Sequence, residues 1–206
     1  IAVAELTFAL MLSAPNHIIT YHNGMKNGEW LKNIKRTELY GKTLGLLGIG
    51  NIATKVAERA KAFGMNVVAY DKYVSSSAVA TLVPTVEDAV KDADYISIHM
   101  PLTDETRNMF NADLFAKMNR KPVIINAARG AIVNADDMVK ALDDGQVTCY
   151  CADVYPSDPP APDYPLLKSD KVILTPHVGA NSKENLLRIG DEIVATIKDL
   201  KDNDKI

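Results

Sequence analysis

Gly48-Ile49-Gly50-Asn51-Ile52-Ala53 follows an apolar run, Leu44 to Leu47, and opens a stretch in which Ile52, Val56 and Ala60 recur at helical spacing. A strand, a glycine turn and a helix are expected in succession. Gly48 permits the tight turn and Gly50 lets a phosphate group approach the backbone, while small Ala53 allows the helix to lie close to the strand. An anion would rest on the helix N-terminus at Asn51 and Ile52, where unpaired N–H groups and the helix dipole converge. The next apolar run, Asn66-Val67-Val68-Ala69-Tyr70, closes on Asp71, eighteen residues beyond Ala53. A carboxylate there accepts ribose hydroxyls and repels a 2′-phosphate. The combination reads as a dinucleotide site that favours NAD over NADP.

Outward from this unit the same alternation continues. Further strands are expected at Tyr95–His99, Pro122–Asn126, Thr148–Val154 and Lys171–Thr175, with helical stretches between them. Short apolar runs separated by helices imply an α/β, doubly wound parallel sheet, the Rossmann arrangement. Asn134, followed by Asp136 and Asp137, is expected to cap a helix that stops at Gly145, and Asn181 with Glu184 forms a capping-box pattern before a final helix striped by Leu186, Ile189, Ile193, Ile197 and Leu200. The polar segment from Tyr21 to Lys42 reads as a connection around a short amphipathic piece at Trp30 and Leu31. Five prolines between Pro156 and Pro165 enforce an extended loop.

Ala2 to Leu12 is apolar almost all round, and Ile1 is not an initiator methionine. The chain is therefore expected to be a piece of a longer protein. Residues 1–20 would form an inter-domain or dimerisation helix packing on absent residues or on a second subunit, residues 21–180 the NAD-binding domain, and residues 181–206 a helix returning toward a missing substrate domain. A homodimer or larger assembly through the first helix is the expected state.

Composition narrows the class. Hydrophobic residues make up 47% and charged residues 24%, the balance of an ordinary globular protein. With 23 Lys and Arg against 26 Asp and Glu, the net charge of −3 gives no footprint for nucleic acid or an anionic membrane. No apolar run has the length of a membrane span and no signal peptide stands at the start, so a cytoplasmic location is expected. Cys149 and Cys151 would share one face of a strand as packing residues. No ligand set for a metal accompanies them. His17 and His22 belong to no motif and read as surface residues.

Ligands of a doubly wound sheet sit beyond the carboxyl ends of its strands. Four clusters fall there: His99-Met100-Pro101, Asn126-Ala127-Ala128-Arg129-Gly130, Asp153-Val154-Tyr155, and Thr175-Pro176-His177-Val178-Gly179-Ala180. Together with Val3-Ala4-Glu5-Leu6-Thr7 and the glycine fingerprint, they resemble the nucleotide-binding domain of the D-isomer-specific 2-hydroxyacid dehydrogenases, over nearly the whole chain. Within that family the likeness is strongest to the branch acting on 3-phosphoglycerate. The resemblance implies hydride transfer between a 2-hydroxy acid and NAD. Glyoxylate, hydroxypyruvate and D-lactate remain alternative substrates, and a NAD-sensing binding protein of the corepressor type remains an alternative class.

The resemblance also implies roles. His177 would be the general base, Arg129 the fork that holds the substrate carboxylate, and Asp158 the carboxylate that orients His177 and stabilises its protonated form. Gly48, Gly50, Asn51, Ile52, Asp71, Met100, Ala127, Arg129, Asp153, His177 and Gly179 would contact the coenzyme, Asp153 at the nicotinamide carboxamide. His99 would be structural, offering backbone near the adenosine. The family has Glu where this chain has Asp158, so the loop must sit closer to His177 or the pair must be looser. Pro15 also departs from relatives that continue the first helix.

Overall fold

The computed structural model describes residues 1–203; residues 204–206, the end of the expected C-terminal segment, lie outside them. Helices are α1 (Ala2–Ser13), α2 (Ile18–Lys26), α3 (Asn51–Ala62), α4 (Val86–Val90), α5 (Ala112–Phe115), α6 (Ala135–Asp143) and α7 (Lys183–Asp202). Strands are β1 (Thr43–Leu47), β2 (Asn66–Tyr70), β3 (Thr81–Leu82), β4 (Tyr95–Ile98), β5 (Val123–Asn126), β6 (Cys149–Ala152) and β7 (Val172–Leu174). All pair in parallel, in the order β3-β2-β1-β4-β5-β6-β7. The order reverses between β1 and β4, so a crevice opens at their carboxyl ends.

The strands other than short β3 feed two cores because successive side chains point to opposite faces. Leu44 and Leu46 join Val56 and Ala60 of α3 on one face, whereas Leu47, Ile96 and Ile98 join Val90, Phe115 and Leu142 on the other. The first face also takes Ala4, Phe8, Leu10 and Met11 of α1. That face of α1 is thus met by the chain's own sheet, while Ile1 ahead of it stays exposed. Pro15 ends α1, His17 caps α2 in a left-handed conformation, and the two helices meet at 65°. Among the described residues no single helix is long and apolar enough to cross a membrane.

Two local expectations shift and one unexpected strand appears. The helical turn between the first helix and β1 is α2, not a piece at Trp30 and Leu31, because left-handed Gly28 follows the end of α2 before that pair is reached. The cap of α7 is Ser182, whose Oγ accepts from the Asn185 N–H, one residue beyond the expected Asn181. The edge strand β3 is only two residues long, too short to carry periodicity. Asn134 caps α6 as expected, accepting from the Asp137 N–H, and Gly145 follows with positive φ. The stripe on α7 is present, and Leu186, Ile189, Ile193 and Ile197 lie exposed along it.

Candidate coenzyme groove and active site

Beyond the carboxyl ends of β1 and β4, two adjoining hollows share Gly50, His99, Met100 and Pro101 and form one groove. One, of about 340 Å³, is bounded by Asn51, Ile52, Ala53, Ala127, Ala128 and Arg129. The other, of about 270 Å³, is bounded by Gly48, Tyr70, Asp71, Lys72, Tyr73 and Glu105. A third cavity of about 340 Å³ opens at the amino ends of the strands, lined by Tyr95, Val123, Thr148 and Cys149, on the edge away from every cluster named above.

The glycine turn is shaped for a bound phosphate. Gly48 has φ +92°, and a Cβ there would stand 2.8 Å from the His99 carbonyl oxygen. Gly50 heads α3 without any side-chain cap, and a Cβ on it would meet nothing within 4 Å. The space before the helix N-terminus is open and its first N–H groups are uncapped by side chains, as an anion requires. Asp71 braces this turn, since its Oδ2 accepts from the Ile49 N–H at 2.9 Å and its Oδ1 from Tyr73 and Val74. The Lys72 ammonium is held by both oxygens of Glu105 at 2.9 and 2.7 Å. That contact pushes the Lys72 pKa above its ordinary value. His99 forms part of the groove wall with its ring Nε2 on the Ser97 hydroxyl, and burial pushes its pKa down to about 4, leaving the ring neutral near pH 7.

Arg129 stands on a turn built from within. The Asn126 side chain accepts from the Ala128 N–H and donates to the Arg129 carbonyl and to the Tyr150 hydroxyl. The Arg129 guanidinium itself rests on the Ala128 carbonyl at 2.7 Å. Gly130 then lets two loops touch, because a Cβ on it would lie 2.1 Å from the Tyr155 carbonyl carbon.

Past β6 and β7 a second cluster forms. Asp153 is 2% exposed, and its carboxylate accepts from the Thr175 hydroxyl at 2.6 Å, the Val178 N–H at 2.9 Å and the Gly179 N–H at 2.7 Å. These bonds fix the turn in which His177 holds φ +55°. The His177 Nδ1 meets Asp158 Oδ2, so the shorter acid does reach the ring and the loop sits close. Tyr155 ties the loops together by donating to the Thr175 carbonyl.

Of the expected coenzyme residues, Gly48, Gly50, Asn51, Ile52, Asp71, Met100, Ala127 and Arg129 line the groove. Asp153, His177 and Gly179 do not; they form the neighbouring cluster, with the Asp153 carboxylate turned onto the His177 loop rather than into the groove. Asn126, Tyr150, Thr175, Ser97 and Glu105 received no role from the sequence. A mid-strand Tyr150 reads as core, and only its contact with Asn126 reveals more.

The sequence pattern described as D-isomer specific 2-hydroxyacid dehydrogenase, NAD binding domain, matches residues 8–179. The chain belongs to this family. Over 203 residues it is 41% identical to the D-3-phosphoglycerate dehydrogenase of Methanocaldococcus jannaschii, covering 96% of this chain and 38% of that protein. Over 199 residues it is 39% identical to the hydroxypyruvate reductase of Thermotoga maritima, covering 95% and 65%. Among solved structures, the NAD-dependent formate dehydrogenase of Staphylococcus aureus in complex with NAD matches with a TM-score of 0.89 at 31% identity, covering 100% of this chain and 62% of that one. As the NAD-binding domain of a 2-hydroxyacid dehydrogenase, this chain spans less than two thirds of the length of each of these relatives. Its groove suits NAD: open backbone before Gly50, an uncapped helix N-terminus, and a carboxylate closing β2.

Proposed function

We propose that the protein carrying this domain interconverts a D-2-hydroxy acid and its 2-keto acid, with 3-phosphoglycerate and 3-phosphohydroxypyruvate as the pair, at the start of serine synthesis. The His177–Asp158 pair beside the coenzyme edge carries this reading. The 41% identity to a D-3-phosphoglycerate dehydrogenase supports the choice of substrate. The exposed Ile18, Ile19, Met25 and Trp30 on and after α2 support a homodimer, here taken to work in the cytoplasm. The residue roles and the domain division stated from sequence belong to the same reading.

An ionised Asp158 only accepts, so the hydrogen it meets sits on His177 Nδ1 and the neutral ring keeps a lone pair on Nε2. That nitrogen receives the hydroxyl proton as hydride leaves C2, and returns it in the reverse direction. Bound NAD supplies the hydride acceptor. Arg129 exchanges the neutral Ala128 carbonyl for the substrate carboxylate, a stronger, bidentate partner.

NADH formation by the full-length protein tests the proposal. The expected result is a higher kcat/KM for 3-phosphoglycerate than for glycerate, glycolate or D-lactate, and Asp158→Asn lowering turnover while NAD still binds. Faster reduction of hydroxypyruvate or glyoxylate would reassign the substrate. Tight NAD binding without turnover of any hydroxy acid would make the protein a NAD-sensing one.

A further inference from the structure

Lys72 is the only Lys or Arg among the residues lining the Asp71 end of the groove. Its ammonium does not face that space alone, because Glu105 holds it with both carboxylate oxygens from across the opening. The loop that presents Glu105 is itself built. The Thr106 hydroxyl donates to the Pro101 carbonyl at 2.7 Å and accepts from the Thr103 N–H at 2.8 Å, and Thr106 is buried. His99, the other ionisable base on this wall, is neutral and adds no positive charge.

We propose that Glu105 is a coenzyme-specificity residue: it occupies Lys72 and adds a second carboxylate beside Asp71, so that a 2′-phosphate on the adenosine ribose finds no free cation. The inference rests on NAD occupying this groove. A 2′-phosphate there would meet two acids with one neutralised base, an arrangement repulsive by Coulomb's law even at the high effective dielectric of an exposed site. Removing the Glu105 charge cancels the net negative charge, leaving Asp71 opposed by an unpaired Lys72 that is free to meet the phosphate.

The test is titration of the full-length protein with NADH and NADPH at low, fixed ionic strength, following coenzyme fluorescence, for the parent, Glu105→Gln, and the double variant Glu105→Gln/Lys72→Met. Glu105→Gln is expected to raise the NADPH-to-NADH affinity ratio roughly three- to tenfold, and the double variant to return most of that gain. The gain should shrink at high salt. An unchanged ratio in Glu105→Gln overturns the proposal, as does a gain that the double variant keeps in full, which would leave Lys72 with no part. Loss of both coenzymes alike would make Glu105 merely structural. If the parent binds neither NADH nor NADPH, the NAD reading itself falls and takes this inference with it.

Discussion

Asp71 and Asp153 both follow strands on the coenzyme edge of the sheet, and both gather three donors, yet they stand in opposite surroundings. Asp153 is buried, and its donors all come from the loop that carries His177. Asp71 is half-buried at the rim of the groove and braces the glycine turn and its own following residues. A buried carboxylate spends its acceptors on the fold, since an unpaired donor left inside is costly. A carboxylate at the rim can exchange water or a backbone partner for a ligand hydroxyl. Residue type and position after a strand look alike in the sequence; burial separates them.

The largest effect expected along this contrast belongs to the residue that the Asp153 loop presents. His177→Ala in the full-length protein should lower turnover in both directions by roughly 10²–10⁴ while NAD affinity stays near that of the parent. Rates and coenzyme titration measured together check this, and a loss below tenfold would remove His177 from the proton transfer.

Asp153→Ala strips three donors of their acceptor, the buried Gly179 N–H and two half-buried ones, and should cost about 2 kcal/mol of stability in urea unfolding, with turnover falling as the His177 turn loosens. Asp71→Ala should do the reverse. Its stability cost should stay under about 1 kcal/mol, while NAD affinity drops about tenfold and the gap to NADP narrows. Equal stability losses in the two variants would break the comparison.

The smallest effect concerns His99. The ring is held neutral, with its pKa pushed down to about 4 from 6.5. As pH falls below 6.5 the unfolded chain takes up a proton that the folded chain refuses, so stability present at neutral pH is lost between 6.5 and 4. At pH 5.5 the loss should be about 1 kcal/mol. His99→Gln, which can still meet the Ser97 hydroxyl, should flatten that part of the stability profile; an unaltered slope would assign it to other groups.

Much of this arrangement is legible in the sequence. The glycine turn, Asp71 after β2 and the Asn134 cap follow from short-range rules, because each depends on residues within a few turns of chain, and the parallel sheet follows from the regular alternation of apolar runs with helices. The misplacements at Trp30 and Asn181 and the unforeseen β3 are local too, and arise where two neighbouring residues could each serve or where a segment is too short to show a period. The family is also carried by sequence, since its motifs lie in order along residues 8–179. Only the tertiary structure could turn the Asp153 carboxylate onto the His177 loop, place Asn126 between Tyr150 and Arg129, or bring Glu105 across the groove to Lys72. Those pairings join residues from separate elements, and whether a polar group meets solvent, ligand or backbone is decided by which neighbours the packed sheet puts beside it.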